Sequence, residues 1–337
     1  MSSGLVLGKF LPPHLGHVYL VEFARAYTSQ VTVVVGTLAR EPIPGELRFR
    51  WMRELFPDLD VVHLTDENPQ EPHEHPRFWD IWRESLLRVA PRKPDLVFAS
   101  EPYGERLAKE LGARFVPVDL ARSAVGVSGT AIRNDPMKHW QFLPRCVRPY
   151  FAKRVCVVGP ESTGKSTLAR DLAAHFGTTW VPEYARTLLE PRARAGETAP
   201  IARQDMLAIA RGQVASEEAL ARNAERVLVS DTDALTTLLW SDLLFGEHDD
   251  ALEELAAEHT HDLYMLTSPD VPYVQDAIRY APKDRPAFFD RLREELDARA
   301  RRYVVLEGDW EARRAKAIAA VEELVGTRAP GPLSNGA

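Results

Sequence analysis

Short apolar runs alternate with amphipathic segments through the first half of the chain. Five runs rich in β-branched residues are predicted strands, at 5–7, 31–35, 61–64, 96–99 and 115–118. The segments between them repeat apolar positions at helical spacing, which predicts helices at 16–27, 46–56, 78–89 and 103–111. Strands that alternate with helices favour a parallel sheet covered by helices on both faces.

The same alternation starts again after a proline-containing segment with Pro136, Pro144 and Pro149. Predicted strands follow at 155–158, 227–230, 263–267 and 303–306, with long helices at 201–225 and 285–302. Because proline disfavours helix continuation, we place a domain boundary near residue 150. We therefore predict an α/β protein with two doubly wound parallel-sheet domains, at 1–150 and 151–327. Residues 328–337 have little to bury, and we expect a disordered tail there.

Composition narrows the class of protein. The 337 residues carry a formal net charge of -7, which argues against broad nucleic-acid binding. The two cysteines, Cys146 and Cys156, indicate no disulfide framework. No signal peptide and no apolar run of membrane-spanning length is visible, so we expect a cytoplasmic protein without nucleic-acid or membrane partners. A homo-oligomer stays open.

The middle of the chain contains a sequence pattern that is typical of a phosphate-binding loop. Gly159-Pro-Glu-Ser-Thr-Gly-Lys-Ser166 fits the G-x-x-x-x-G-K-[ST] pattern between a predicted strand and a predicted helix. The glycines let backbone N–H groups turn towards phosphate oxygens, Lys165 supplies a positive charge, and the Ser166 hydroxyl can hold Mg²⁺. The expected nucleotide contacts are Gly159, Glu161, Ser162, Thr163, Gly164, Lys165, Ser166 and Thr167.

Two aspartates follow the predicted strand at 227–230. Asp231 and Asp233 would emerge at the carboxyl edge of the sheet, beside the nucleotide. We predict that Asp231 is the Mg²⁺ partner and keep Asp233 as an alternative. Either aspartate could instead cap the helix that follows.

Two further charged positions favour a kinase. Glu183 could accept the proton of a substrate hydroxyl, and Arg186 could neutralise phosphate charge, although an i,i+3 ion pair on a new helix is equally consistent with their spacing. Arg279 stands in a stretch where a kinase can carry a mobile lid, and we predict that it reaches the transferring phosphoryl group.

A second phosphate site is predicted at the start of the chain. Gly8-Lys-Phe-Leu-Pro-Pro-His-Leu-Gly-His17 follows the first strand and opens the first helix. His14 and His17 form a small anion site with two side-chain donors at a helix N-terminus. Such a site could hold a nucleoside triphosphate while its α-phosphorus is attacked, a reaction that needs no protein nucleophile. Two clustered ligands without an evident third argue against a metal site.

A matching element lies further along, in Val127-Ser-Gly-Thr-Ala-Ile-Arg133. Ser128 and Thr130 can cap a helix or bind phosphate, and Arg133 can bind the β- and γ-phosphates. Helix capping would be the simplest role for this segment by itself. Phosphate binding is favoured when the segment is considered together with residues 8–17, here called the histidine loop.

Together these motifs resemble a known family. The string 8–17 is similar to the nucleotidyltransferase signature G-x-F-x-P-x-H-x-G-H, and 127–133 is similar to I-S-x-T-x-I-R, with Val127 in place of the usual isoleucine. In front of a phosphate-loop domain, this order resembles the NadR-type bifunctional proteins, which couple a nicotinamide-mononucleotide (NMN) adenylyltransferase to a ribosylnicotinamide kinase. The first catalytic strand begins by residue 5, so we expect no helix-turn-helix domain before it.

The resemblance implies ATP, Mg²⁺, nicotinamide riboside and NMN as ligands. It places His14, His17 and Arg133 on ATP phosphates in the first domain, with Gly8, Lys9, Phe10, Ser128 and Thr130 beside them. In the second domain it implies the phosphate loop and Asp231 on the nucleotide, with Tyr184, Arg186 and Asp233 near the acceptor. Trp79 would stack on nicotinamide, unless it belongs to the helix core. Two alternatives keep the architecture: another nucleoside or a phosphopantetheine-like acceptor, and a nucleotide-sensing regulator.

Overall fold

A computed structural model describes residues 2–194, 201–274 and 285–326. The chain divides into two compact units, Met1–Arg148 and Pro149–Ala337. Within these described ranges, no helix is both long enough and apolar enough to cross a membrane.

The first unit is built on a five-stranded parallel sheet. Its strands are β1 (Ser3–Gly8), β2 (Gln30–Gly36), β3 (Asp60–Leu64), β4 (Leu96–Ala99) and β5 (Arg114–Pro117). They are ordered β3-β2-β1-β4-β5, and every neighbouring pair is parallel. The connecting helices are α1 (Leu15–Tyr27), α2 (Gly45–Leu55), α3 (Phe78–Val89), α4 (Tyr103–Leu111) and α5 (Gly129–Asn134), and the short α6 (Arg148–Phe151) follows.

Alternate strand residues point to opposite faces of this sheet, and each face has its own apolar cluster. Val6 and Val33 pack with residues of α1 and α2, such as Met52. Leu5 and Val34 pack with residues of α3 and α4. Because both faces are covered, the sequences of the strands are continuous apolar runs rather than an alternation of apolar and polar residues.

The second unit repeats this plan with a different strand order. Its strands are β6 (Lys153–Val158), β7 (Trp180–Val181), β8 (Val227–Asp231), β9 (Leu263–Thr267) and β10 (Tyr303–Leu306). They are ordered β10-β9-β6-β8-β7, again all parallel. The helices are α7 (Lys165–Phe176), α8 (Tyr184–Arg194), α9 (Arg203–Leu220), α10 (Ala234–Phe245), α11 (Asp250–Glu258), α12 (Arg285–Ala298) and α13 (Trp310–Val325). The predicted fold class is confirmed.

The predicted helices agree best with the structure where the helix has one polar and one apolar face. The expected helix at 201–225 is α9, which ends at Leu220 before a short 3-10 turn, and the expected helix at 285–302 is α12, which ends at Ala298. The sequence analysis placed a helix after Asp231 and Asp233 without giving its extent. This helix is α10, and seven of its residues are buried and it has no polar face to give a helical period. In each sheet, the first strand lies in the centre and its following loop opens at the carboxyl edge, where ligands bind in such folds.

Candidate active sites

The phosphate loop of the second domain joins β6 to α7, and its two glycines are sterically required. Gly159 has φ +144°, and a Cβ there would lie 2.3 Å from the Thr267 hydroxyl. Gly164 has φ +85°, in the left-handed region, at the N-cap of α7. The Thr163 hydroxyl lies 2.6 Å from that of Thr267, which ties the loop to the end of β9. The loop is therefore fixed by the neighbouring strand.

Asp231 lies beside this loop because β6 and β8 are adjacent and Val157 pairs with Asp231. Its side chain is almost fully buried, and its Oδ1 atom has no hydrogen-bond partner among the described residues. Burial and the neighbouring Glu183 carboxylate raise the pKa of Asp231 to about 6, while Lys165 and a hydrogen bond from Ser166 act in the opposite direction. The Lys165 ammonium donates to the Pro160 carbonyl at 2.8 Å.

A cavity of about 560 Å³ adjoins the loop. One wall carries Glu183 and Arg186, whose Oε2 and Nε atoms are 3.2 Å apart, and Arg186 also pairs with Glu190. The two residues form the i,i+3 ion pair, and they also line the cavity, while their roles towards a substrate hydroxyl and phosphate stay predictions. Residues Glu161 to Thr167 and Asp231 also border it.

Two residues expected near the acceptor lie elsewhere. Asp233 caps α10, accepting from the Thr236 backbone N–H at 2.9 Å and from its hydroxyl at 2.7 Å. The Tyr184 ring packs on Gly212, where a Cβ would meet it at 2.1 Å, and its backbone N–H donates to Gln213. Neither side chain is on the cavity wall of the described region. Arg279 lies outside the described residues.

Sequence reasoning missed Arg170 as a residue of this cavity. Its Nε donates to the Ser166 carbonyl at 3.2 Å, and its guanidinium lies 5.6 Å from the Trp180 ring centroid. Both side chains line the cavity, as do Thr236, Thr237 and Trp240. The spacing of Arg170, one helical turn after Ser166, is the signal that could have identified it.

In the first domain, the histidine loop is shaped around Phe10. This residue has φ +47° and is 1% exposed, and a Cβ on Gly8 would approach its ring to 3.0 Å. His14 caps α1, its Nδ1 accepting from Gly16 N–H at 3.1 Å. The rings of His14 and His17 are stacked with centroids 3.8 Å apart.

Both histidines are held in the neutral form. Burial and the nearby Arg122 lower the pKa of His14 to about 4. Burial, His14 and Arg122 lower the pKa of His17 well below its ordinary value. Since Nδ1 of His14 accepts a hydrogen bond, its ring proton resides on Nε2. In this form the imidazoles can donate hydrogen bonds to an anion, and the arginine and lysine side chains on the cavity walls can supply positive charge.

The start of α5 is fastened to the histidine loop. Ser128 caps the helix by accepting from Ala131 N–H at 3.1 Å. A Cβ on Gly129 would lie 2.6 Å from the Leu11 carbonyl oxygen, so glycine allows the close approach. Arg133 donates to that same carbonyl and, at 3.0 Å, to the Thr130 hydroxyl.

A cavity of about 710 Å³ opens between these elements. Its wall includes the expected residues Gly8, Lys9, Phe10, His17, Ser128, Thr130 and Arg133. His14 borders a smaller adjoining cavity, and Arg122, which the sequence did not single out, borders both. Trp79 and Trp82 are both half-buried on the wall of the larger cavity. The indole N–H of Trp82 donates to the Pro69 carbonyl, and Arg106 lies over the Trp79 ring.

A buried arginine also supports this site without lining it. Arg48 is 0% exposed and donates to the Lys9 carbonyl at 2.6 Å and to the Ile43 carbonyl at 3.1 Å. Glu41 receives both the Arg48 guanidinium and the Lys9 ammonium. The backbone and side chain of Lys9 are thus both held. No motif in the sequence indicates this, because the partners lie on separate segments.

Comparisons with known proteins found relatives that match one or both domains. A family model described as an AAA domain matches residues 154–313. The trifunctional NAD biosynthesis/regulator protein NadR of Escherichia coli (strain K12) is 29% identical over 345 residues, covering 96% of this chain and 84% of that protein. A nicotinamide-nucleotide adenylyltransferase of Thermococcus kodakarensis is 26% identical over 159 residues, covering 44% of this chain and 82% of that protein.

Solved structures match both domains. A NadR protein in complex with NR has a TM-score of 0.80 and 24% identity, with 97% of each chain covered. A NadR protein in complex with NAD and AMP-PNP has a TM-score of 0.77 and 25% identity, with the same coverage. The resemblance drawn from the two phosphate motifs is thereby confirmed: this chain is similar to NadR proteins along nearly its whole length.

Proposed function

We propose that this protein is a bifunctional enzyme that makes NAD from nicotinamide riboside. The second domain transfers the γ-phosphoryl group of ATP to the riboside, giving NMN and ADP. The first domain transfers AMP from another ATP to NMN, giving NAD and pyrophosphate. The observation that carries this proposal is that each sheet has its own cavity bordered by a phosphate motif at the carboxyl edge. We assign both reactions to the cytoplasm, where ATP is available as a substrate.

In the kinase step, the phosphate loop and Lys165 hold the triphosphate of ATP, and the riboside occupies the adjoining cavity. Its hydroxyl oxygen attacks the γ-phosphorus, the bond to the β-phosphate oxygen breaks, and ADP leaves. Glu183 is the residue we propose to accept the hydroxyl proton, because it lines the cavity next to Asp231. Arg186 and Arg170 face the same space and can stabilise phosphate charge.

The residues beside the loop fit Mg²⁺. Asp231 presents a buried carboxylate oxygen without a partner among the described residues, and the Ser166 hydroxyl is within hydrogen-bond reach of the same carboxylate. Oxygen ligands of this kind are what Mg²⁺ prefers. When bound there, the ion would offset negative charge on the β- and γ-phosphates.

In the adenylyl step, a phosphate oxygen of NMN attacks the α-phosphorus of ATP and pyrophosphate leaves. The protein contributes position and charge rather than a nucleophile. The neutral imidazoles donate N–H bonds to phosphate oxygens, while Arg133 and Lys9 supply positive charge on the cavity wall. Trp79 or Trp82 offers an aromatic face to the nicotinamide ring.

The direct test is product analysis. We expect protein incubated with nicotinamide riboside, ATP and Mg²⁺ to form NMN and ADP first, followed by NAD and pyrophosphate, as measured by chromatography of the nucleotides. A panel with other nucleosides and with phosphopantetheine tests the acceptor, and nicotinamide riboside should give the highest kcat/KM. If no acceptor on the panel is turned over, a nucleotide-sensing role replaces the enzymatic one.

The kinase should lose activity in mild acid. Because the pKa of Asp231 is raised to about 6, its carboxylate takes up a proton as the pH falls through that value, and a neutral carboxyl group binds Mg²⁺ poorly. We expect kinase kcat/KM to fall about tenfold for each pH unit below about 6, and higher Mg²⁺ concentrations to move the fall to lower pH. An Asp231→Asn variant, measured in parallel, should be nearly inactive, and its remaining activity should not show this fall at low pH.

A further inference from the structure

A tryptophan that the proposed mechanism does not use lies against the phosphate loop of the second domain. Trp310 is the first residue of α13 and directly follows the loop after β10. A Cβ on Gly164 would lie 3.5 Å from Cζ3 of its ring, so the indole is within van der Waals range of the loop backbone. Trp310 is nevertheless 39% exposed, which is unusual for a side chain of this size.

The segment that carries Trp310 is held in place by a buried arginine. Arg313 is 2% exposed, and its Nε donates to the Gly308 carbonyl at 2.9 Å. Its two terminal nitrogens donate to the carbonyls of Thr163 in the phosphate loop and Ser268 after β9, at 3.3 and 3.1 Å. One guanidinium therefore fixes the phosphate loop and the Trp310 segment relative to each other.

Asp270 and Asp309 complete this support. The Gly308 backbone N–H donates to Asp270 at 2.7 Å, and Asp270 also pairs with Arg313. Asp309 caps α13 by accepting from Ala312 N–H at 2.8 Å. The first turn of α13 is thus rigid before any ligand binds. An aromatic ring presented on such a support loses little conformational freedom when a flat group stacks on it.

The strand order places Trp310 on the opposite side of the loop from the acceptor cavity. In the sheet β10-β9-β6-β8-β7, the phosphate loop follows the central β6. The acceptor cavity is bordered by residues that follow β7 and β8, whereas Trp310 follows the far edge strand β10 and is not on that cavity's wall in the described region. In phosphoryl transfer the attacking and leaving oxygens lie roughly in line across the phosphorus. An acceptor in the cavity on the β7 and β8 side therefore leaves the opposite side of the loop, towards β10, for the rest of ATP.

We propose that the exposed face of Trp310 is the platform on which the nucleobase of the kinase's ATP stacks. This inference rests on the proposed kinase function and adds a base-binding surface to the phosphate loop. A base of any kind has a flat π-face, and stacking on an aromatic side chain contributes strongly to nucleotide affinity.

Trp310→Leu keeps an apolar side chain and removes the aromatic face, whereas Trp310→Phe keeps a smaller aromatic face. We expect the leucine variant to raise the kinase KM for ATP about tenfold to a hundredfold, and the phenylalanine variant to restore most of the loss. KM for nicotinamide riboside and the adenylyl-transfer rate should stay within about twofold of wild type. Glu311→Ala, at the adjacent exposed position, is the matched control and should change none of these values.

Inorganic tripolyphosphate separates stacking from a distorted phosphate loop, since it has the phosphates of ATP and no base. As a competitive inhibitor against ATP, it should have the same inhibition constant in wild type and Trp310→Leu. An equal rise in that constant and in KM for ATP would show that Trp310 only shapes the loop, and an unchanged KM for ATP would also overturn the proposal.

Failure of the proposed kinase function would give a different experimental result from failure of the stacking proposal. If wild-type protein phosphorylates no nucleoside, the kinase assignment fails. The stacking proposal is then decided by calorimetric binding of ATP and tripolyphosphate at the site that Lys165→Ala abolishes. Weaker binding of ATP alone in Trp310→Leu supports the stacking proposal, and any other result overturns it.

Discussion

Lys165→Ala will lower the kinase rate by about two to three orders of magnitude. The Lys165 ammonium is the cation of the phosphate loop, and its loss removes a positive charge that would stabilise the transferring phosphoryl group. The measurement is kcat/KM for NMN formation from nicotinamide riboside. Lys316→Ala, an exposed lysine of the same domain, is the matched control and should retain wild-type kinase activity.

Adenylyl transfer from ATP to added NMN should be unaffected in Lys165→Ala, because the residues that surround His17 belong to the other cavity. This second measurement on the same preparation shows that the first domain of the variant is folded. Equal loss of both activities would contradict two separate triphosphate sites.

His17→Ala will lower adenylyl transfer by about two to three orders of magnitude and leave NMN formation intact. His17 contacts both Phe10 and His14 and lies on the wall of the first cavity, where its ring can donate to the triphosphate. The measurement is NAD formation from NMN and ATP. His73→Ala, in an exposed loop of the same domain, is the matched control.

Because burial keeps the pKa of His17 well below its ordinary value, the side chain acts as a neutral donor. His17→Gln, which keeps an N–H donor without a titratable ring, should therefore recover part of the activity lost in the alanine variant. Activity in His17→Lys above that of His17→Gln would mean that a positive charge is required at this position, and it would contradict the neutral-donor role.

The two phosphate loops were predictable because their physics is local. A loop that wraps phosphate needs glycine, a cation and a following helix within a few consecutive residues, and both strings provide these features directly after an apolar strand. The parallel sheets were predictable for a related reason: strands buried on both faces are short apolar runs that amphipathic helices separate. The extent of α10 was not predictable because its residues are apolar all round and leave no polar face to give a helical period.

Sequence by itself therefore determined the fold class, the two triphosphate motifs and the family resemblance. Tertiary structure decided which of the expected side chains face the cavity of the second domain: Asp231 does and the capping Asp233 does not, and Arg186 does while Tyr184 packs on Gly212. It also decided the neutral state of His14 and the anchoring roles of Arg48 and Arg313. The physical reason is that burial, charge state and side-chain direction depend on partners far away in the chain, and no local spacing specifies them.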